Sequence, residues 1–83
     1  MFYTYILYSE KIDRYYIGYS SNPEKRLADR HNAGLVKSTK PGKPYKLVAK
    51  KLYNTELEAR AEELRLKKAK NRKYLEYLIE GNW

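Results

Sequence analysis

The stretch TYILYSEKIDRYYIG, residues 4–18, decides the fold. Residues 2–8 are almost all aromatic or β-branched, and the same character returns over residues 14–20 after the polar run Ser9-Glu10-Lys11-Ile12-Asp13. That alternation of sticky and polar segments predicts a β-hairpin. The stretch also holds four of the chain's ten tyrosines, whereas the whole chain has one phenylalanine. Phenylalanine fills a core equally well and brings no hydroxyl that needs a partner, so the preference for tyrosine points to a use for the hydroxyl. A loop centred near residues 10 and 11 sets Tyr5 opposite or nearly opposite Tyr16. Opposed residues share a face with Cβ atoms ~5 Å apart, which lets two phenol hydroxyls converge. Gly18 follows on that face and leaves a hollow that another backbone or a ligand could enter. The competing reading is an aromatic pair that only steadies the sheet.

Beyond the hairpin, Ser21-Asn22-Pro23-Glu24 has the marks of a helix start: a capping side chain, proline near the first helical position and an acid in the first turn. This helix is expected to run to about Asn32 and stop near Gly34. Residues 35–44 read as a loop by their Pro and Gly content and carry Lys37, Lys40 and Lys43. Tyr45 to Tyr53 returns to strand character. Thr55-Glu56-Leu57-Glu58 is a capping box at the head of a helical stretch that reaches about Glu80, with Asn71 as its expected interruption. The order strand, strand, helix, strand, helix, helix describes one α/β (α+β) domain over residues 1–83.

Composition limits what such a domain does. A chain of 83 residues buries only roughly 60% of its unfolded surface, which leaves little room for a second function. The absence of cysteine excludes disulfides, thiolate nucleophiles and cysteine metal sites, and the expected compartment is the cytoplasm. No stretch comes near the ~20 apolar residues of a membrane span. Eighteen Lys and Arg against ten Asp and Glu give a net charge of +8, which makes nucleic acid the leading partner.

On the first helix, Leu27 and His31 share one face, and Arg26 and Arg30 share another. Burying Leu27 leaves Arg26 on the flank, facing across the sheet. On the second, Leu57, Ala61 and Leu64 form one apolar stripe, and Ala59, Glu63 and Leu66 form another. Glu63 is therefore a carboxylate with apolar helical neighbours. Such a group needs either a cation of the protein, for which Lys67 is one turn away, or a bound metal ion.

Assembled, these residues resemble the GIY-YIG nuclease family, in particular its small single-domain bacterial members and the catalytic domains of excision-repair and homing endonucleases. Thr4-Tyr5-Ile6 stands at the first motif with threonine for glycine, and Tyr16-Ile17-Gly18 matches the second literally. Residues 26–34, Arg-Leu-x-x-x-His-Asn-x-Gly, look like the helix signature. Glu58-Ala59 with Glu63-x-x-Leu66-Lys67 is similar to the segment that carries the metal-binding glutamate. The resemblance implies a three-stranded antiparallel sheet flanked by helices, cleavage of phosphodiesters with one Mg²⁺ or Mn²⁺, and no other cofactor. It implies Glu63 as metal ligand, Arg26 as phosphate clamp, Tyr5 and Tyr16 as the pair that supplies the base, and His31 as a third participant. Lys37, Lys40, Lys43 and Arg30 are then candidates for phosphate contacts away from the cut. DNA is favoured over RNA as substrate, possible settings are repair or recombination, and the monomer is the expected state. The alternative is a module that keeps the fold and binds nucleic acid without cleaving it. Asn71 receives no role, and Tyr19 stands where repair-type relatives carry a lysine.

Overall fold

The structure is a computed structural model and describes residues 1–37 and 39–83. Strands β1 (Phe2–Ser9) and β2 (Arg14–Ser20) form the hairpin, and β3 (Lys46–Tyr53) pairs antiparallel to β1 on its other side, giving the sheet order β2-β1-β3. Three antiparallel strands with helices around them are the expected architecture. The hairpin register differs from expectation. Ser9 pairs with Arg14, so the turn comprises residues 10–13 and is centred one residue later than anticipated; Tyr5 faces Gly18, and Tyr16 faces Leu7. Asp13 closes this turn with φ 51°, held there by Tyr8 Oη at 2.7 Å and by Arg72. Tyr5 and Tyr16 remain on one face as diagonal neighbours.

Helix α1 (Pro23–Arg26) starts as the sequence indicates, with the Asn22 side chain accepting from Lys25 N–H. It continues as a π-helical turn, Leu27–His31, closed by Asn32 N–H donating to Leu27 O at 2.9 Å. Gly34 ends it with φ 77°. Helix α2 (Glu56–Ala69) is capped by Thr55, whose hydroxyl accepts from Glu58 N–H. Lys70 breaks it in the left-handed conformation, and Asn71 caps α3 (Arg72–Tyr77) by accepting from Tyr74 N–H, so this asparagine has a structural task at the elbow. A π-helical turn, Leu78–Asn82, follows.

The alternation of strand side chains splits the interior into two cores. Ile6, Ile17, Leu66, Leu75 and Leu78 are buried under α2 and α3; Tyr5, Leu7 and Tyr45 are buried under α1 with Leu27 and Tyr16 packed against them. Of the two stripes on α2, the sheet takes Ala59 and Leu66, while Leu57 is 75% and Leu64 44% exposed. Thr4 Oγ1 donates to Ala59 O at 2.7 Å, fixing α2 against β1 at the position where a larger residue would hold them apart. Because β2 is an edge strand, groups from the α1 layer and from α2 can meet around its outer side.

Candidate active site

That outer side carries an open pocket of about 320 Å³ bounded by Tyr5, Tyr16, Gly18, Tyr19, Arg26 and Glu63. The structure thus brings together Tyr5, Tyr16, Arg26 and Glu63, which the sequence singles out from three separate elements. A second depression of about 190 Å³ shares Ser20, Ser21 and Arg26 with it and is lined further by Lys25, Asp29 and Arg30. Arg30 is exposed beside the pocket. Lys37, Lys40 and Lys43 are exposed, with Lys40 and Lys43 passing over Gly34, and none of them is among the described residues that line either depression.

Gly18 does not leave a hollow. The Tyr5 ring occupies the space, and a Cβ at residue 18 would stand 2.5 Å from Tyr5 Oη. Glycine is needed here so that the phenol can lie flat across β2. The ring is 1% exposed and its hydroxyl reaches His31 Nε2 at 2.9 Å. His31 is wholly buried, and its Nδ1 lies 3.0 Å from Thr39 Oγ1, which in turn donates to Val36 O at 3.2 Å. A hydroxyl has one hydrogen, so Thr39 accepts from Nδ1–H, and Nε2 is left to accept from Tyr5 O–H. Burial, reinforced by the Arg26 guanidinium, pushes the imidazole down to about 4, which keeps it neutral. Burial pushes the Tyr5 phenol up to about 12 even though Arg26 pulls the other way. The π-helical turn matters here, because widening the helix by one residue lets Arg26, Leu27 and His31 all turn inward.

Tyr16 is half-buried and joins the pocket by another route. Its ring packs against the His31 imidazole with centroids 5.0 Å apart, and Lys67 Nζ sits 5.7 Å from its centroid. Lys67 also approaches Glu63 Oε2 at 3.4 Å, so the carboxylate, 13% exposed, has the protein cation that the sequence allowed for. Thr39 was not anticipated as part of the site. It lies in a loop with no local periodicity, and nothing short-range ties it to His31.

A metal has to fit this donor set. Among the described residues no group of three or more His, Asp or Glu side chains is placed to hold one. Mg²⁺ and Mn²⁺ need less than that, since a small hard ion keeps several waters and is commonly bound through one or two carboxylates together with substrate phosphates. Glu63, facing the pocket beside Arg26, suits that mode.

A carboxylate, a guanidinium and two phenols around one concave edge, on a domain of charge +8, define a protein that handles phosphate-bearing polyanions. The GIY-YIG catalytic domain model matches residues 1–75, and the chain belongs to that family, whose domains are nucleases acting on nucleic acid. No curated protein and no solved structure matches the chain.

Proposed function

We propose that the chain is a divalent-metal-dependent endonuclease that hydrolyses phosphodiester bonds in DNA, with repair or recombination as its setting and the cytoplasm as its compartment. The observation that carries the reading is the convergence of Tyr5, Tyr16, Arg26 and Glu63 on the pocket at the edge of β2. DNA is preferred for the likeness of the motifs to those of excision-repair and homing endonucleases.

In-line hydrolysis requires an oriented water, neutralisation of charge building on the phosphoryl oxygens, and stabilisation of the departing oxygen. Arg26, half-buried and facing the pocket, donates to the phosphoryl oxygens, where a preorganised guanidinium acts most strongly as charge develops. Glu63 would hold the ion, which when bound supplies a Lewis acid and lowers the pKa of a coordinated water. Lys67 approaches only one of the two Glu63 carboxylate oxygens, and its ammonium also lies beside the Tyr16 ring.

The tyrosines divide the remaining work. A phenol held near 12 supplies almost no phenolate at neutral pH, so Tyr5 does not act as a preformed base. Its proton is directed into His31 Nε2, which leaves the oxygen lone pairs free to accept from a water in the pocket. Tyr5 therefore orients that water, and a proton taken up from it can be matched by one passed to the neutral imidazole. Tyr16, the more exposed of the two, is the second group within reach of the attacking water.

The test is a cleavage panel of labelled single-stranded, duplex, flap and branched DNA, with RNA counterparts, in Mg²⁺, Mn²⁺ and chelator, run on the parent and on Glu63→Gln. The parent is expected to cut DNA only with metal. Glu63→Gln should bind as well as the parent or better, since a negative charge facing phosphate is gone, and should not cut at raised Mg²⁺. Cutting in chelator, or normal cutting by Glu63→Gln, overturns the metal-dependent mechanism. Binding with no cutting under any condition favours the non-cleaving module.

A further inference from the structure

Thr39 lies outside the catalytic pocket and takes no step in the mechanism, yet only two hydrogen bonds separate it from the phenol that lines that pocket. They run from Thr39 Oγ1 to His31 Nδ1 at 3.0 Å and from His31 Nε2 to Tyr5 Oη at 2.9 Å. Thr39 and His31 are both 0% exposed, so bulk water does not stand in for a partner that is removed. The loop around Thr39 is anchored by other groups. Asn32 Oδ1 accepts from Tyr45 N–H at 2.6 Å, Asn32 Nδ2 donates to Tyr45 O at 3.1 Å, and Ser9 Oγ donates to Gly42 O at 2.5 Å. Thr39 itself is set in its turn by its backbone, its N–H donating to Val36 O and its carbonyl accepting from Gly42 N–H, each at 3.1 Å. The course of the loop therefore does not depend on the Thr39 hydroxyl, whose one partner outside its own turn, among the described residues, is His31.

The direction of these two bonds decides what the pocket receives. A neutral imidazole has one N–H, and the bond made at one nitrogen sets what the other can do. In water that hydrogen prefers Nε2, so the Nδ1–H form has to be enforced. Thr39, whose own hydrogen goes to Val36 O, accepts from Nδ1–H and enforces it. Nε2 then accepts from Tyr5 O–H, and the phenol turns its lone pairs to the pocket. In the opposite tautomer Nε2–H donates to the Tyr5 oxygen, and the phenol hydrogen swings towards the pocket. A water there meets a donor where it needs an acceptor, and Nε2 has no lone pair left to take the Tyr5 proton.

We propose that Thr39 is a positioning residue for cleavage: by keeping the His31 hydrogen on Nδ1 it makes Tyr5 present a lone pair, and not a hydrogen, to the water in the pocket. The proposal rests on the nuclease reading and adds to it a residue that touches neither substrate nor metal. A simpler role, in which Thr39 only ties the loop to the α1 layer, predicts lost stability and weaker binding with the imidazole unchanged.

The experiment uses the parent, Thr39→Val, which keeps the branched shape and removes the acceptor, and Thr39→Ser, which restores the hydroxyl. His31 is the chain's single histidine, so heteronuclear NMR of protein labelled with isotopic nitrogen in histidine shows one imidazole and reports which nitrogen carries the hydrogen at neutral pH. The parent and Thr39→Ser are expected to show Nδ1–H, and Thr39→Val to show Nε2–H. Single-turnover cleavage should be slowed about thirtyfold in Thr39→Val and return to within about threefold of the parent in Thr39→Ser. Binding of the same DNA in chelator should change by no more than about twofold, since no contact with substrate is lost. Melting curves report folding; should Thr39→Val not fold, Thr39→Ala is read in the same way. A parent with its hydrogen on Nε2, a folded Thr39→Val that keeps Nδ1–H, or one that reverses the tautomer and cuts at the parent's rate overturns the proposal and leaves the nuclease reading standing. A parent that cuts no substrate overturns that reading and the role of Thr39 with it, whatever the tautomer.

Discussion

Under α2 and α3, Ile6, Ile17, Leu66, Leu75 and Leu78 pack aliphatic surface on aliphatic surface, whereas the α1 side of the same sheet buries Tyr5, His31, Thr39 and Ser9 with Leu7 and Tyr45. The first arrangement draws its stability from area removed from water, at about 25 cal/mol per Å². The second gains only about 1 kcal/mol from each hydrogen bond but is penalised for every partner left out. Its buried polar side chains are all matched among the described residues: Tyr5 with His31, His31 with Thr39, Thr39 with Val36 O, and Ser9 with Gly42 O at 2.5 Å. A core of that kind tolerates few substitutions and holds its groups in one arrangement. The aliphatic side keeps the domain folded, and the polar side keeps the pocket's tyrosine aimed.

The largest effect expected from breaking this division is at Arg26, which extends from the polar side into the pocket. Arg26→Ala should slow the chemical step by up to about a thousandfold while weakening nucleic-acid binding much less, as for a donor that acts on developing charge. Single-turnover cleavage alongside a binding titration measures both. Normal cutting with poor binding would return Arg26 to the general basic surface.

Next is the aliphatic side. Leu66 is 1% exposed in the centre of that core, so Leu66→Ala should lower stability by about 3 kcal/mol through lost burial and the cavity left behind. Cleavage per folded molecule should hardly change, because Leu66 itself does not line the catalytic pocket. Urea unfolding and a rate corrected for the folded fraction would show it. A specific loss of rate would mean that α2 cannot shift without dragging Glu63.

The converse substitution is Tyr5→Phe. It keeps the ring over Gly18 but removes the proton that His31 Nε2 accepts, and cleavage should fall by about a hundredfold with a stability loss of about 1–2 kcal/mol. Tyr16→Phe should leave stability nearly unchanged, since Tyr16 is half-buried and packs chiefly through its ring. If neither variant loses activity, both tyrosines are packing residues. The other hydroxyls show that packing and bridging roles are common here: Tyr8 bonds Asp13, Tyr15 reaches Glu76, and Tyr74 accepts from Arg65.

How much of this was legible in the sequence follows from how local each signal is. The hairpin, the Asn22 and Thr55 caps, the stop at Gly34 and the break at Asn71 are written in neighbouring residues and stand where expected. The register was not, because the polar run between the strands fixes the turn only to within a residue. Moving the turn centre by one residue shifts each partner by two, which replaced the Tyr5–Tyr16 pair with Tyr5–Gly18 and turned the expected hollow into a seat for the ring. Nor could periodicity choose between the two stripes of α2, since both are apolar at helical spacing and only contact with the sheet selects Ala59 and Leu66. Tyr5, Tyr16, Arg26 and Glu63 were legible as a set through their motifs, but the bond from Thr39 that fixes the His31 tautomer spans a loop and left no trace in local pattern.

The smallest effect expected is also the one that most directly separates the two cores, because it acts on the polar one alone. His31 is held down to about 4 when folded, against about 6.5 for a free imidazole, so between those values the unfolded chain binds a proton that the native protein refuses. Stability should therefore be highest above about pH 6.5 and fall as the pH drops towards 4, by about 2 kcal/mol at pH 5 relative to pH 8 from this residue. His31→Gln removes the titration and keeps a polar side chain, so its melting temperature should fall less over the same range, even if the variant is less stable throughout. Carboxylates contribute in both proteins; the Glu62 carboxyl, held down to about 2 chiefly by Arg65, stays charged across the whole window. The difference between the two curves isolates the imidazole. Parallel curves would mean that His31 accepts a proton in place without disturbing the Tyr5 bond, and the polar core would then be no more sensitive to acid than the aliphatic one.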